Sequence, residues 1–461
     1  MPEPGGHPLR RVFVANRGEI AVRIVRACRA LGVEAVVAVS EADRGSMAAE
    51  LADRAVCIGG ASAAESYLNR NAIVMAALGT GCDAVHPGYG FLSERASFQR
   101  LCVEHGLTFV GPTAEAIEAV GDKLAARRIA EQIGVPTVPG TDKVGSAADA
   151  LEFGQRSGYP FLFKASAGGG GRGMRVVRSA DEVGAAFDSA SGEAGAAFGD
   201  PTLFIERYIE RARHVEIQAM ADHHGNIVHL GERDCSTQRR HQKIIEEAPS
   251  PHISPEQRQS MGEAAVTLLR QVGYRNAGTV EFILDMDTGE FYFLEVNTRI
   301  QVEHPVTEMV TGVDLVVEQL RVAGGAPLSF RQEDIRLRGH AIECRINAEA
   351  PAQGFRPSPG RITQWLAPSG EGLRLDTHCR TGAFIPPYYD SMIAKVIALG
   401  ADRAHAVARM SQALDAFRVE GIDTTIDFHR TVLRHPDFLA NRVTTRWVEE
   451  TFIPQQQAAP A

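Results

Sequence analysis

The chain has 461 residues, of which 44% are hydrophobic and 23% are charged. This composition predicts about three folded domains at roughly 150 residues each and excludes a largely disordered chain. The formal net charge of -9 argues against a nucleic-acid partner, because binding to a phosphate backbone needs clustered positive charge. No apolar run is long enough for a membrane span, the first eleven residues lack a secretory signal, and the seven cysteines form no C-x-x-C pair. We therefore expect a cytoplasmic protein with reduced, mostly buried thiols.

Short apolar runs alternate with helical patterns through the first part of the chain. Four or five such strand–helix units are typical of an open parallel sheet with a Rossmann-like fold. The first turn, Asn-Arg-Gly-Glu at residues 16–19, has one glycine where dinucleotide binding needs three close together, so the fold is predicted without that cofactor. Strands are predicted at residues 12–15, 35–39, 55–58, 84–85 and 108–110, and helices near residues 20–28, 69–78, 95–105 and 122–132.

Glycine and proline residues between 134 and 140 indicate a domain boundary near residue 135. A smaller unit follows, and after it a long mixed region rich in strands. The last eight residues are expected to fray. The smaller unit has strand-like segments at 161–165, 174–177 and 203–206 and a helix near 181–189. The predicted fold class is α/β and α+β multidomain, with units at 1–134, 135–206 and 207–453 and a tail at 454–461.

A glycine-rich segment, Gly-Gly-Gly-Gly-Arg-Gly at residues 168–173, lies between two strand-like runs. A dinucleotide-binding loop runs from a strand into a helix, so this strand–loop–strand order predicts a hairpin flap instead. Such a flap can place backbone N–H groups over nucleotide phosphates, because glycine lets the backbone approach closely. Lys164 supplies a cation beside it. No G-K-[ST] sequence supports a Walker A loop, and a flexible linker is the alternative interpretation.

A second pair of strand-like runs flanks the turn sequence Asp-Met-Asp-Thr-Gly-Glu at residues 285–290. If Gly289 is left-handed and closes a three-residue loop, Glu281 pairs with Glu295 across the two strands. Asn297 then points to the same face, because side chains alternate along a strand. Two carboxylates and an amide repel each other unless a cation lies between them, which predicts a Mg²⁺ site that bridges nucleotide phosphates. A solvated polar face of the sheet is the alternative.

Charged side chains cluster in two further segments, a loop at residues 298–305 and a basic stretch at residues 238–243. Each alone is typical of an exposed loop or of local ion pairs. Together with the glycine-rich flap and the hairpin that carries Glu281 and Glu295, they predict anion binding. Arg345 alternates with apolar residues in a strand-like run at 340–347 and is a candidate buried cation, with a structural salt bridge as its alternative.

Longer motifs are spread over nearly the whole chain. Among them are Ala-Asn-Arg-Gly-Glu-Ile-Ala at 15–21, His-Pro-Gly-Tyr-Gly-Phe-Leu-Ser-Glu at 86–94 and Pro-Pro-Tyr-Tyr-Asp-Ser-Met at 386–392. Others lie at residues 164–173, 213–218, 238–243, 295–308 and 343–349. Through these motifs the chain resembles the biotin carboxylase subunits of bacterial acetyl-CoA carboxylases, which belong to the ATP-grasp family.

The resemblance implies roles for specific residues. The ATP site comprises the lysines Lys123 and Lys164, the lid glycines Gly170 and Gly171, the hinge Glu206, Arg207, Tyr208 and Ile209, and the further contacts His214, Gln238 and His241. The metal ligands, for two Mg²⁺ or Mn²⁺ ions that also contact ATP, are Glu281, Glu295 and Asn297. The bicarbonate pocket comprises Lys243, Arg299, Gln301 and Val302, with Glu303 as the general base, and Arg345 and Tyr89 bind biotin.

The implied reaction is ATP-dependent carboxylation of biotin by bicarbonate. Glu303 takes the proton of bicarbonate, which attacks the γ-phosphorus of ATP and forms carboxyphosphate. Carboxyphosphate breaks down to CO₂ and phosphate, and Arg345 stabilises the oxyanion of deprotonated biotin. The glycine lid excludes water, since carboxyphosphate is labile. Ala167 and Thr425 depart from the family pattern, with glycine and asparagine expected there.

The implied partners are a biotin carboxyl carrier protein and a carboxyltransferase on separate chains, because the sequence has no Ala-Met-Lys-Met biotin-attachment motif. A homodimer is also implied. The acceptor stays open: acetyl-CoA would mean fatty acid synthesis, but enzymes acting with pyruvate, propionyl-CoA or urea share these motifs. Two alternatives remain, another ATP-grasp ligase for a small amine or acid and a catalytically silent ATP-binding scaffold.

Overall fold

The computed structural model describes residues 8–141, 143–166 and 174–458. The predicted lid glycines Gly170 and Gly171, with Ala167, lie outside the described residues. Within the part that is described, no helix is both long and apolar enough to cross a membrane. Six of the seven free cysteines are buried and Cys57 is exposed, as predicted.

The N-terminal unit is built on a five-stranded parallel sheet with strand order β3-β2-β1-β4-β5. Its central strands are runs of valine and alanine that are buried on both faces, as expected for a parallel sheet covered by helices. The strands are β1 (Arg11–Val14), β2 (Glu34–Val39), β3 (Arg54–Cys57), β4 (Ala84–His86) and β5 (Thr108–Phe109). The helices are α1 (Gly18–Ala30), α2 (Met47–Leu51), α3 (Arg70–Gly79), α4 (Ala96–Glu104), α5 (Ala114–Gly121) and α6 (Lys123–Gln132).

The smaller unit is a three-stranded antiparallel sheet covered by two helices. Its elements are α7 (Ala147–Ser157), β6 (Phe161–Ala165), β7 (Arg175–Val177), α8 (Val183–Phe198) and β8 (Leu203–Arg207). Strands β6 and β7 pair in antiparallel register on either side of the glycine-rich segment. The predicted strand–loop–strand order is therefore correct. The helix predicted near 181–189 continues to Phe198, where Gly199 at φ +74° ends it.

The third region is dominated by an eight-stranded antiparallel sheet with strand order β13-β12-β9-β10-β11-β14-β21-β19. Its strands are β9 (Ala212–Ala221), β10 (Ile227–Arg239), β11 (Gln242–Ala248), β12 (Asn276–Asp285), β13 (Phe291–Asn297), β14 (His340–Asn347), β19 (Leu373–Thr377) and β21 (Met392–Gly400). Short strands pair outside it: β15 (Glu349–Ala350) with β16 (Arg356–Pro357), β17 (Gly360–Arg361) with β20 (Phe384–Ile385), and β18 (Gln364–Leu366) with β22 (Arg418–Glu420).

Helices pack on this sheet, and the apolar side chains of helices and strands together form its hydrophobic core. They are α9 (Pro255–Gln271), α10 (His304–Thr311), α11 (Leu315–Ala323), α12 (Arg403–Ala416), α13 (Ile426–Arg434) and α14 (Pro436–Leu439). The prediction of a frayed tail that begins at Pro454 is wrong for residues 454–458, which are helical. A π-helical turn, Val448–Phe452, buries its first and last residues and continues directly into α15 (Ile453–Ala458).

In the first two units, three helices were absent from the expectations, α2, α5 and α7, and no individual helix was predicted in the third region. Each begins with a serine or threonine whose side chain accepts a hydrogen bond from a backbone N–H in the first turn: Ser46, Thr113 and Ser146. These caps are visible in the sequence and would have indicated the helix starts. The unit boundaries at residues 135 and 207 stay predictions.

Candidate active site

Every predicted site residue that the structure describes lines one cleft of about 1340 Å³. The N-terminal unit contributes Tyr89 and Lys123, and the three-stranded sheet of the smaller unit contributes Lys164, Glu206 and Arg207. The rest come from the eight-stranded sheet and from the loops next to its strands. Residues separated by more than 200 positions along the chain thus meet in one place.

Strands β12 and β13 form a hairpin, called the carboxylate hairpin below. It has the predicted pairing, with Glu281 directly opposite Glu295 and Thr279 opposite Asn297. The predicted three-residue loop is wrong. Leu284 pairs with Phe291, and the backbone N–H of Asp285 donates to the carbonyl of Glu290 at 2.8 Å, so the turn is one residue longer. A bulge between Glu281 and Phe282, which leaves one extra residue in β13, shifts the register back by one.

Side-chain cations already neutralise the paired carboxylates. Lys123 Nζ lies 2.9 Å from Glu295 Oε2. Lys243 Nζ lies 2.9 Å from Glu281 Oε1, and His214 Nε2 lies 3.1 Å from Glu281 Oε2. The expectation that a cation lies beside these carboxylates is thus met by side chains of the protein itself.

The same hairpin still fits a divalent cation by its donor chemistry. Glu281, Glu295 and Asn297 present hard oxygen atoms on one face of two paired strands, beside the cleft. Asn297 Nδ2 donates to Glu281 Oε1 at 2.9 Å, and its Oδ1 accepts from Arg299 Nη2 at 2.9 Å. The three predicted ligands are thus held together.

Lys243 joins three carboxylates at the floor of the cleft. Its Nζ lies 2.6 Å from Glu216, 2.9 Å from Glu281 and 2.7 Å from Glu303. Burial by itself would lower the pKa of Lys243, but the carboxylates, led by Glu216, raise it well above its usual value. The side chain therefore stays charged.

Glu303 is buried between two cations. Lys243 contacts its Oε1, and Arg345 Nη2 donates to its Oε2 at 2.9 Å. Burial would raise the pKa of Glu303, but Lys243 and Arg345 hold it well below the usual range, so the group is a carboxylate. Arg345 also donates from Nε to Glu246 at 2.6 Å. The salt-bridge alternative for Arg345 is thus correct in geometry, and its side chain also lines the cleft.

The segment before Glu303 is held from several sides. Gln301 Nε2 donates to Glu281 Oε1 at 3.0 Å, and the carbonyl of Val302 accepts from Lys395 Nζ at 2.8 Å. Arg299 donates to Glu94 at 3.1 Å. These contacts fix the predicted bicarbonate residues relative to the hairpin.

Lys164 and the predicted hinge residues line the same cleft. Lys164 forms an ion pair with Glu206, and Arg127 Nη1 donates to the same carboxylate at 3.4 Å. Arg207, Tyr208 and Ile209 line the wall next to them.

The stretch at residues 238–243 is a tight turn between two strands rather than a basic loop. Arg240 and His241 have φ values of 48° and 62°, and the flanking residues belong to β10 and β11. Gln238 Nε2 lies 3.0 Å from His214 Nδ1, which ties this turn to the residue that contacts Glu281. His241 is exposed and lines the cleft.

Sequence reasoning assigned no role to several charged residues beneath the site. Glu216 is fully buried and pairs directly with Glu281 across β9 and β12. Arg233, also fully buried, donates to Glu216 and to Gln301. Alternation of His214, Glu216 and Gln218 with valine and isoleucine was the available signal, since every second residue of a strand shares a face. The other buried ones are Glu246, Glu343 and Lys395. Glu94, which is exposed, contacts Arg299 from the N-terminal unit.

Known proteins match the chain over nearly its whole length. Family models described as the biotin carboxylase N-terminal domain, the carbamoyl-phosphate synthase L chain ATP-binding domain and the biotin carboxylase C-terminal domain match residues 8–117, 122–331 and 343–450. A biotin carboxylase from Nostoc is 54% identical over 441 residues, covering 95% of this chain and 98% of its own length. The chain belongs to the biotin carboxylase family.

Two other relatives are nearly as similar. A pyruvate carboxylase subunit from Methanothermobacter thermautotrophicus is 50% identical, covering 95% of this chain and 89% of its own. The biotin carboxylase domain dimer of the Hydrogenobacter thermophilus 2-oxoglutarate carboxylase, solved with MgADP, ADP and bicarbonate, is 46% identical, with a TM-score of 0.92 and coverage of 99% of this chain and 100% of that one.

Membership of the family confirms several predictions. The fold is a multidomain ATP-grasp fold with an N-terminal parallel sheet. The enzyme class is an ADP-forming ligase, and the family activity is ATP-dependent carboxylation of biotin. The role of each residue in the cleft stays a prediction.

Proposed function

We propose that this cleft carboxylates biotin carried on a separate polypeptide, with ATP and bicarbonate as co-substrates, and that this is the first half-reaction of an acyl-CoA carboxylase. The observation that carries the proposal is the buried carboxylate of Glu303, which is held between Lys243 and Arg345 beside the carboxylate hairpin. One group that can accept a proton and two that can bind anions thus lie within one hydrogen bond of each other.

The nucleotide is proposed to lie along the Lys123 and Lys164 side of the cleft, with its adenine against residues 206–209. Gly170 and Gly171 are proposed to cover its phosphates. In this structure Lys164 forms an ion pair with Glu206, so this ion pair must break when Lys164 binds the ATP phosphates. His214, Gln238 and His241 complete the proposed contacts.

Mg²⁺ is the proposed metal, held by Glu281, Glu295 and Asn297, with two ions per site. A bound divalent cation supplies charge neutralisation on transferring phosphoryl oxygens. The side chains that now contact these carboxylates would have to move when the metal binds. They are Lys123 on Glu295, and His214 and Lys243 on Glu281.

Bicarbonate is proposed to bind between Lys243, Arg299, Gln301 and Val302, where Glu303 takes its proton. With two cations on it, Glu303 is ionised but weakly basic. Its basicity rises when Lys243 turns toward the bound anion, because the anion then shares the positive charge. An oxygen of bicarbonate attacks the γ-phosphorus, the bond to ADP breaks, and carboxyphosphate forms.

Biotin is proposed to bind at Arg345 and Tyr89. Carboxyphosphate breaks at its C–O bond to give CO₂ and phosphate, and the phosphate takes the proton of the biotin ureido nitrogen, which then attacks CO₂. The negative charge on the ureido oxygen develops next to Arg345, a permanently charged donor. Burial and Glu303 both keep this guanidinium in place.

The carrier and the carboxyltransferase are proposed to be separate chains, and the protein is proposed to be a cytoplasmic homodimer. The 2-oxoglutarate carboxylase neighbour is a dimer, which supports the last point. Acetyl-CoA is the proposed final acceptor. A relative named for pyruvate carboxylase is almost as similar, so the acceptor is to be tested with the carboxyltransferase.

Phosphate release from MgATP by the purified protein tests the proposal. We expect release that requires bicarbonate and that rises when free biotin is added. Turnover that ignores both would contradict the proposal and favour another ATP-grasp ligase, and no turnover in any condition would favour a silent scaffold. The matched control replaces bicarbonate with chloride at equal ionic strength.

A further inference from the structure

Lys395 is a fully buried lysine at the back of the site. It lies in β21, where its backbone pairs with Arg345 on one side and with Asp376 on the other. Burying an ammonium group is costly unless it is paired. Its Nζ lies 3.1 Å from Glu19 Oε1 and 3.8 Å from Asp376 Oδ2. Burial would lower the pKa of Lys395, but Glu19 and the other carboxylates raise it, so the lysine is charged.

The third partner of Lys395 is not a carboxylate. Its Nζ donates to the backbone carbonyl of Val302 at 2.8 Å. A planar peptide has one orientation when its carbonyl is fixed, so this hydrogen bond orients the link between Val302 and Glu303. The next turn is fixed too, since His304 Nδ1 lies 2.7 Å from the carbonyl of Gln301. The loop that carries the proposed base therefore rests on the Lys395 ammonium.

Glu19 connects the same lysine to the biotin side of the cleft. It lies in the first turn of α1 and is buried, and its Oε1 accepts both the Lys395 contact and a hydrogen bond from the Tyr89 hydroxyl. Burial and the Glu19 carboxylate raise the pKa of Tyr89 well above its usual value, so the hydroxyl keeps its proton and donates. Glu19 Oε2 has no hydrogen-bond partner among the described residues.

We propose that Lys395 is a positioning residue that couples Tyr89, through Glu19, to the loop of Gln301, Val302 and Glu303. Binding of biotin at Tyr89 then influences the positions of Glu303 and of bound bicarbonate, although Tyr89 and Val302 belong to different units of the fold. This inference rests on the proposed function. Lys395 does not line the cleft but supports the loop that is proposed to bind bicarbonate, so its effect is expected in the bicarbonate KM and not in the ATP KM.

The test is a double-mutant cycle of Lys395→Met and Tyr89→Phe, measured by bicarbonate-dependent ADP formation. Lys395→Met should raise the bicarbonate KM about tenfold, as expected for loss of a charged hydrogen bond, and leave the ATP KM unchanged. Tyr89→Phe should raise the bicarbonate KM by a smaller factor. If the two residues act through one connection, the double variant matches Lys395→Met alone. Multiplied effects would overturn the coupling.

Asp376→Asn is the matched control. Asp376 contacts the same lysine but pairs with Arg374, which contacts Glu308 in α10 and none of residues 301–303. Its variant should leave the bicarbonate KM unchanged, and a rise equal to that of Lys395→Met would show a general loss of packing and overturn the proposal. If Lys395→Met does not fold, Glu19→Gln serves instead: it keeps the shape and a partner for Tyr89, and an unchanged bicarbonate KM there would refute the coupling. Wild-type turnover without bicarbonate dependence would instead refute the proposed function.

Discussion

Replacing Glu303 with glutamine isolates the proposed base. The substitution keeps the size of the side chain and one carbonyl oxygen but removes the charge and the ability to take a proton. Lys243 would keep two carboxylates, Glu216 and Glu281, and Arg345 would keep Glu246. Both cations stay paired, so the fold should persist.

The expected loss is confined to catalysis. A general base contributes about 10²- to 10⁴-fold, so Glu303→Gln should lower kcat by that factor, equal to about 3–5 kcal/mol of barrier. ATP affinity should be unchanged, because Glu303 contacts Lys243 and Arg345 and neither of the lysines proposed to bind the ATP phosphates. The assays are bicarbonate-dependent ADP formation and equilibrium binding of a fluorescent ATP analogue.

Glu247→Gln is the control for this variant. Glu247 follows Glu246 in β11 and points to the other face of the sheet, where it bonds to Arg403 and His340 and does not line the cleft. This substitution removes a buried carboxylate of the same kind and should leave kcat intact. The reasoning is refuted if Glu303→Gln keeps more than about a tenth of wild-type turnover, or if it loses ATP binding in proportion to activity.

Three further predictions concern the stability of the large sheet and two other parts of the site. Burial would raise the pKa of Glu247, but His340 and Arg403 lower it to about 2. The unfolded chain has a glutamate pKa of about 4.3, so this pairing contributes about 3 kcal/mol to the free energy of unfolding above pH ~4.3. That contribution is lost as the pH falls through about 2. Glu247→Gln should flatten this acid limb in urea titrations; an unchanged limb contradicts the pairing. Lys123→Met should raise the ATP KM about 10- to 100-fold in initial-rate assays, and an equal rise in the bicarbonate KM speaks against its placement. Glu295→Gln should raise the Mg²⁺ concentration for half-maximal turnover about tenfold; an unchanged requirement in a Mg²⁺ titration rules out the metal role.

Local patterns were sufficient for the strands of the N-terminal sheet and of the smaller unit, and for β12, β13 and β14 of the large sheet. The valine-rich strands of the N-terminal sheet and the strand His340–Asn347 were predicted nearly to the residue, because their apolar runs are bounded by turn residues. The Glu281–Glu295 pair was also predicted. Its register was correct only because a longer turn and a bulge compensate, and neither is visible in strand alternation.

The charge network beneath the cleft was not predictable in this way. Glu216, Arg233 and Lys395 come from three strands of one sheet, and their partners depend on how β9, β10 and β21 meet the loop before α10. A single buried charge in a strand indicates that a partner exists but does not say which one. The sequence motifs located the cleft residues, whereas the structure was needed for what holds them.

Transfer of labelled carbon from bicarbonate to biotin tests the central claim most directly. Purified protein with MgATP, free biotin and ¹⁴C-bicarbonate should form acid-labile carboxybiotin in step with ADP. Glu303→Gln should abolish this product while retaining ATP binding. ADP formation without labelled biotin, under conditions in which the wild-type protein is folded and binds ATP, would contradict the account.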